Sequence, residues 1–324
     1  MDFEDSPQEA EFRQTARSWL DRYAPKFIIS ESMSADEQLK LGRQWQALKA
    51  EQNYVKISWP LEDGGGGRSI VEQIIFDEEE ARHALPVRFF RLSLNIPLPI
   101  IRRFATDEQK QRYLKPALRG DEIWCQLFSE PAAGSDLAGI RLRAVKDGND
   151  WVLNGQKVWN SYADISDFGM VLTRSDPSLR KHKGLTYFFL DMNSPGVAVR
   201  PIRQLSGGSE YCEVFFTDVR VPDSQRLGEV NDGWRMALAT LMEERFSVSD
   251  PAGGGPGLNE LIRLAQSVRQ GKTMAIDNAA VRNQIADWFV IENGIRAFNL
   301  RARDKIAKGG AAGPEGSLNK LVIA

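Results

Sequence analysis

Two short stretches carry residue types that could do chemistry. The first is "SEPAAGSD", Ser129 to Asp136, a run of small and hydroxyl-bearing residues. Ala132, Ala133, Gly134 and Ser135 let a planar ligand or a phosphate come close to the backbone, while the Ser129 and Ser135 hydroxyls and exposed N–H groups can donate hydrogen bonds. The second is "VWNS", where Trp159 and Ser161 stand two residues apart and so share one face of a strand, a ring beside a hydroxyl. Taken alone, the first stretch is more often an ordinary tight turn and the second a core tryptophan than parts of a ligand site. The familiar phosphate loops are missing: no G-x-G-x-x-G follows a strand, and "QSVRQGKT" has Gln266 where the first P-loop glycine belongs. Cys125 and Cys212 have no metal-ligand neighbours and read as buried thiols. His83 and His182 sit in charged stretches, which disfavours histidine-based metal or triad chemistry.

The elements around these stretches change character twice. Helical periodicity runs from Gln8 to Tyr23 and from Asp36 to Tyr54, and it is broken by "SWPLEDGGGG". It resumes in "SIVEQIIFDEEEARHAL", from Leu92 to Phe104 despite Pro97 and Pro99, and from a cap-like Thr106 to a close at Pro116 and Gly120. Residues 121–225 are instead short β-branched or aromatic runs between turns, with Asn154-Gly155 expected as a two-residue hairpin turn. Helices return at roughly Leu258–Gln270 and Asn278–Lys308, and "PEGSLNKLVIA" looks like the opening of one more. The expected fold class is α+β and multi-domain: an α-helical domain over 1–120, an antiparallel barrel-like β domain over 121–225, and a helical bundle over 226–324, incomplete in this chain.

With 324 residues, 42% hydrophobic and 27% charged, the chain has the composition of a globular protein. A net charge of −2 with no basic stripe excludes nucleic acid as a partner. No stretch approaches a membrane span and no signal peptide opens the chain, so a cytoplasmic protein is expected.

The order "WCQLFSEPAAGSDLAG…DGNDWVLNGQKVWNS…GGSEYCEVFFTDVRVP…GEVNDGWRMALATLMEER" closely resembles the acyl-CoA dehydrogenase family, flavoproteins that oxidise the Cα–Cβ bond of acyl-CoA thioesters. The resemblance extends back through the N-terminal helices and "SWPLEDGGGG", similar to the family's W-P-x-x-x-G-G turn. It implies non-covalent FAD, with Phe128 and Ser129 along the flavin ring, Gly134 and Ser135 near the pyrophosphate and the entering thioester, Trp159 covering the flavin, and Ser161 bonding near its N5 edge. Asn160 has no role in that scheme. The catalytic base implied by "LMEER" is Glu244, with Arg245 beside the substrate. Glu243 cannot face the same flavin, since helix neighbours point about 100° apart. The other base position of the family, near its C-terminus, is not in this sequence. The family's R-x-x-F-G-K motif is altered to "SVRQGK", leaving Arg269 or Arg282 to reach a neighbouring subunit's FAD. The resemblance implies an acyl-CoA substrate, a trans-2-enoyl-CoA product, an electron-transferring flavoprotein as oxidant and a dimer or tetramer, homotetramer foremost and a mixed assembly allowed. Two alternatives stay open: an acyl-CoA oxidase or flavin monooxygenase on this scaffold, and a non-catalytic or half-catalytic subunit of a mixed assembly.

Overall fold

The computed structural model describes residues 5–30, 32–247, 257–307 and 321. The first half of the chain is helical: α1 (Pro7–Tyr23), α2 (Ala35–Glu51), α3 (Ile70–Glu80), α4 (Arg88–Asn95), α5 (Pro97–Phe104) and α6 (Asp107–Arg119). Four of these helices start at capping boxes, Ser6 with Glu9, Ser34 with Glu37, Ser69 with Glu72, and Thr106 with Gln109, in which each partner satisfies the other's orphan backbone N–H. The stretch from Leu92 to Phe104 is two helices rather than one, because Pro97 has no N–H to continue α4 and instead opens α5. Pro116 does not close α6 but lies inside it; the helix stops at Gly120, whose φ of +78° is the left-handed conformation a C-terminal cap requires.

Eight strands then form one mixed sheet: β1 (Trp124–Leu127), β2 (Arg143–Asp147), β3 (Asp150–Ser161), β4 (Phe168–Arg174), β5 (Leu185–Asp191), β6 (Val197–Ile202), β7 (Tyr211–Pro222) and β8 (Arg226–Leu227). Their order is β6-β7-β3-β2-β4-β5-β8, with β1 added in parallel to β4. Among the described residues the two ends do not pair, so the sheet is barrel-like without being a closed barrel. The expected Asn154-Gly155 hairpin is not there. The β2–β3 turn is Gly148-Asn149, closed by Asp147 opposite Asp150, with Gly148 at φ +60°. Asn154 and Gly155 lie inside β3 at a register shift against β7, where the Asn154 amide and Asp218 bond each other.

β4 and β5 are buried on both faces. Met170, Leu172, Leu185, Tyr187 and Phe189 face a core shared with α5, α6 and the start of α7 (Gly233–Ser247). The alternate residues Val171, Phe188 and Leu190 face a second core with β3 and β7, as a period of two demands. Gly233, Met236, Ala237 and Thr240 are the buried stripe of α7; a Cβ on Gly233 would stand 2.8 Å from the Leu185 carbonyl oxygen, so the helix start can approach β5 only as glycine. A third core joins Phe12, Ala16 and Leu20 of α1 to Trp45, Ile57, Ile75 and Phe76.

The chain divides into two compact units, Phe12–Glu244 and a second made of Met1–Glu11 with Arg245–Ala324. The second unit contains α8 (Leu258–Ser267), a small hairpin of β9 (Arg269–Gln270) and β10 (Thr273–Met274) around Gly271, and α9 (Ala279–Ala307). Helix α8 therefore ends at Ser267, before the expected Gln270. The stretch "PEGSLNKLVIA" lies outside the described residues except for Leu321. No helix among the described residues is long and apolar enough to cross a membrane, and no group of three metal-ligating side chains occurs among them.

Within the first unit α1 is fastened to α3 by two neighbouring carboxylates, Glu78, which accepts from Arg13 at 3.0 Å, and the more buried Glu79. Glu79, whose side chain is 5% exposed, accepts from Arg17 at 2.9 Å, Arg82 at 2.8 Å and Arg13 at 3.1 Å. The Arg17 hydrogen bonds above all hold its carboxyl down at about 2, against burial, which pushes it up. A carboxylate with a depressed folded pKa stabilises above its unfolded pKa and loses that contribution as pH falls. We therefore expect Glu79→Gln to lower the unfolding free energy at neutral pH by about 2–3 kcal/mol, and the wild-type advantage to vanish between about pH 4.5 and pH 2. Chemical denaturation of both proteins across that range measures it; a constant difference at all pH values would mean that shape rather than charge is what Glu79 supplies.

Candidate functional site

The site is assembled where the chain leaves β1 and returns along β3. After Leu127, Phe128 is buried edge-on against Tyr187, with ring centroids 5.7 Å apart. The next residues fold into a turn closed by reciprocal backbone bonds between Glu130 and Ala133, at 3.1 and 3.0 Å. Lys157 of β3, fully buried, holds that turn from beneath: its Nζ donates to the Phe128 carbonyl at 2.8 Å and to Glu130 Oε1 at 2.9 Å. The same carboxylate accepts from the backbone N–H groups of Arg141 and Leu142, at 2.6 and 2.9 Å, where the loop rejoins the sheet. Burial pushes the Lys157 ammonium down to about 8 against the pull of Glu130. With its interior satisfied, the loop turns Pro131, Ala132, Gly134 and Ser135 outward. Gly134 is open: a Cβ there would meet nothing within 4 Å, so no contact within the chain itself requires glycine.

β3 supplies the neighbouring wall. The Val158 N–H donates to the Ser129 carbonyl at 2.9 Å, which brings the loop entrance to within one residue of Trp159. Between Lys157 and Asn160 the register against β7 slips, and Trp159 takes φ +61°, rare for a bulky residue and costly unless the surroundings impose it. The consequence is an indole 60% exposed, touching Tyr211 edge-on at 6.2 Å. Asn160 points the other way. It is buried, and its Nδ2 donates to the Cys212 carbonyl at 3.1 Å, which gives this residue the role the sequence left unassigned: it stitches the bulge to β7. Ser161, half-buried, pairs with Tyr211. Among the described residues the hydroxyls of Ser129, Ser135 and Ser161 have no hydrogen-bond partner. The structure thus brings Phe128, Ser129, Gly134, Ser135, Trp159 and Ser161 onto two adjoining segments.

The remaining candidates are not on these two segments. The side chains of Glu244 and Arg245 lie outside the described residues, although their backbone continues α7. Glu243 is half-buried, and burial pushes its carboxyl up while Lys56 and Arg103 pull it down. In the second unit, Arg269 is exposed on β9, and Arg282 donates to the Ile276 and Asp277 carbonyls at 3.2 and 2.8 Å, which occupies it at the start of α9. Lys157 and Glu130 escaped the sequence reading, though a lysine between strand residues Gln156 and Val158 at an inward position was the available signal.

Three domain matches cover nearly the whole chain: acyl-CoA dehydrogenase N-terminal domain over residues 6–121, middle domain over 125–219 and C-terminal domain over 231–324. The chain belongs to the acyl-CoA dehydrogenase family. It is similar to acyl-CoA dehydrogenase IpdE1 of Mycobacterium tuberculosis, 35% identical over 90% of this chain and 76% of that protein. It is also similar to acyl-CoA dehydrogenase FadE34 of the same organism, 36% identical over 86% of this chain and only 38% of that longer protein. Among solved structures, the ChsE4-ChsE5 complex from Mycobacterium tuberculosis superposes with a TM-score of 0.82 at 31% identity, covering 99% of this chain and 82% of that one.

Members of this family bind FAD, and the residues present fit a flavin. An exposed ring on a bulge, three free hydroxyls and an open glycine form a surface that a planar, phosphate-bearing group can cover. Trp159→Gly should weaken FAD binding to apoprotein about ten-fold, by loss of ring stacking and buried area. The apoprotein's unfolding free energy should shift by less than about 1 kcal/mol, because glycine accepts a positive φ without strain. Fluorescence titration with FAD and thermal unfolding give the two numbers. A destabilised apoprotein with undiminished FAD affinity would make Trp159 a packing residue.

Proposed function

We propose that this chain is an FAD-dependent acyl-CoA dehydrogenase that converts an acyl-CoA thioester to its trans-2-enoyl-CoA. The observation that carries the reading is the outward Trp159 on its strained bulge, one residue from the Lys157-held loop, in a chain of this family. When bound, FAD accepts the β-hydrogen as hydride. The chain's own residues bind, orient and deprotonate. Trp159 covers the ring, Phe128 and Ser129 line it, and the Ser161 hydroxyl donates at its edge. Gly134 leaves room for the pyrophosphate and Ser135 stands at the thioester. Glu244 takes the α-proton, with Arg245 beside the substrate. A carboxylate there needs burial and the bound thioester to raise its proton affinity toward that of the α-carbon.

Arg269, exposed on β9, or Arg282 is assigned to the FAD of a neighbouring subunit, in a dimer or tetramer, with an electron-transferring flavoprotein as oxidant and the cytoplasm as compartment. Two structural relatives carry paired names, the ChsE4-ChsE5 complex and the Tcur3481-Tcur3483 steroid acyl-CoA dehydrogenase, which supports a mixed assembly as readily as a homo-oligomer. In that case the altered "SVRQGK" belongs to a subunit that shares its flavin site with a partner.

Glu244→Gln tests the base. The variant should retain FAD and bind acyl-CoA, while anaerobic bleaching of the flavin absorbance slows by on the order of a thousand-fold. Near wild-type bleaching would move the base elsewhere. A purified chain that stays colourless when FAD is added would instead favour the half-catalytic subunit.

A further inference from the structure

Arg174 closes β4 and is half-buried, yet no carboxylate stands within 4 Å of it among the described residues. Its donors go instead to backbone carbonyls, and those belong to two different loops. Nη2 donates to Ala138 at 2.6 Å and Nε to Ile140 at a longer 3.4 Å, both where the flavin-site loop runs back toward β2. Nη1 donates to Lys181 and Lys183 at 3.0 and 2.9 Å, in the segment over residues 175–184 that joins β4 to β5.

The carbonyls that Arg174 holds fix the rest of the loop exit. Across a trans peptide the C=O of one residue and the N–H of the next point opposite ways, so drawing the 138 and 140 carbonyls toward Arg174 turns the Gly139 and Arg141 N–H groups away from it. There the Asp136 carbonyl accepts the first at 2.8 Å and Glu130 Oε2 the second at 2.6 Å. The peptide between Ile140 and Arg141 is therefore gripped from both sides, by Arg174 on its oxygen and by Glu130 on its N–H. Glu130 is also the carboxylate that Lys157 meets, so the entrance and the exit of the loop are fastened to one row of charges with Lys157 at one end and Arg174 at the other. Burial pulls the Arg174 guanidinium down and the Glu130 charge holds it up. On the outer side Lys181 pairs with Asp136 at 2.5 Å, but both side chains are well exposed and such a pair contributes little. Between the anchors Gly134 meets nothing within 4 Å and Ser135 is exposed. Residues so free of packing keep their place only if the ends of the loop keep theirs.

We propose that Arg174 is a positioning residue of the flavin site: by clamping the carbonyls at the exit of the loop against the 175–184 segment, it sets where Gly134 and Ser135 stand to receive the phosphates of FAD, acting through the backbone rather than by contact. The inference rests on the dehydrogenase reading, in which this loop is a wall of the FAD site. A guanidinium suits the task because its planar fork serves acceptors in several directions at once; an ammonium carries the same charge but, as a point donor on a flexible stem, cannot span carbonyls of both loops.

The test compares the full chain with its Arg174→Lys and Arg174→Met variants. Each apoprotein is titrated with FAD by fluorescence, and hydrogen exchange of the amides over residues 129–142 and chemical denaturation are followed without FAD. Both variants should exchange the loop amides faster and bind FAD about ten-fold or more weakly under conditions where they are fully folded, since a displaced loop loses its preorganisation. If Arg174→Lys binds FAD as tightly as the wild type while Arg174→Met does not, charge alone is what Arg174 supplies and the positioning proposal is overturned. Lower stability of both variants with undiminished FAD affinity would make Arg174 a purely structural residue and overturns it as well. Should Arg174→Met not fold, affinity and exchange in Arg174→Lys decide, because that variant keeps the charge and loses only the fork. A wild type that binds no FAD overturns the flavin reading itself, and faster loop exchange in the variants would then leave Arg174 standing as the anchor of the loop.

Discussion

The buried pair of Lys157 and Glu130 is the interaction on which the candidate site depends. Lys157 sits at an inward position of a strand where an apolar residue would ordinarily pack, and it is fully buried. Its charge is tolerated because a carboxylate and a carbonyl meet it at 2.9 and 2.8 Å, and because Glu130 spends its remaining lone pairs on two backbone N–H groups. Removing either partner leaves a buried charge uncompensated, a loss of several kcal/mol in comparable sites. What the arrangement gives in return is position. A loop of alanine, glycine and serine has little side chain with which to pack, and it is held here from below by one ammonium, leaving its outer surface free.

The sheet then sets how that loop meets the rest of the unit. β4 and β5 are covered on both faces, so their residues are near-continuously apolar, and the two cores they separate have different duties. The inner core with β3 and β7 fixes the strand that carries Lys157 and Trp159. The outer core joins α5, α6 and α7 to the same strands and seats Phe128 between them. Helix α7 is therefore tied to the loop through shared packing: Gly233 admits its start close to β5, Thr240 meets the Tyr187 hydroxyl at 3.3 Å, and Tyr187 is the ring against which Phe128 rests. A helix and a loop from distant segments of the chain need such a shared reference to keep a fixed separation.

Period and punctuation made much of this legible in the sequence. The cap at Thr106, the short β-branched and aromatic runs of β3 and β7, and the loop itself follow local rules. What failed were decisions taken by partners distant in sequence. Asn154-Gly155 is a strong local hairpin signal, but Asp147-Gly148-Asn149-Asp150 competes with it six residues earlier and wins, because β3 must run twelve residues to pair with β7. The displaced Asn154 survives as a bulge partner of Asp218. Pro116 was read as a stop, yet it falls inside α6, with Leu114, Ala117 and Leu118 beside it buried in the core and Gly120 free to end the helix. Lys157, Lys56 and Asn160 look like ordinary polar residues in one dimension; only their partners at Glu130, Asn95 and Cys212 reveal that they face inward.

Backbone strain marks the same places. Trp159 at φ +61° and Lys56 at φ +45° are both side-chain-bearing residues held in a region that glycine enters freely. In each case the strain directs a functional group away from ordinary packing: an indole into solvent at the bulge, an ammonium toward a neutral amide with no counter-ion. Asn160 bonds the Cys212 carbonyl where the register slips beside Trp159, and Asn95 accepts from the Lys56 Nζ. A conformation unfavourable by about 1–3 kcal/mol persists only where the surroundings over-determine it. Strain at either position alone would be an oddity of one turn. Asn53, Tyr162, Asp218 and Asn231 share the left-handed conformation, so strain alone names no site; at Trp159 the register slip and the exposed ring give it a direction.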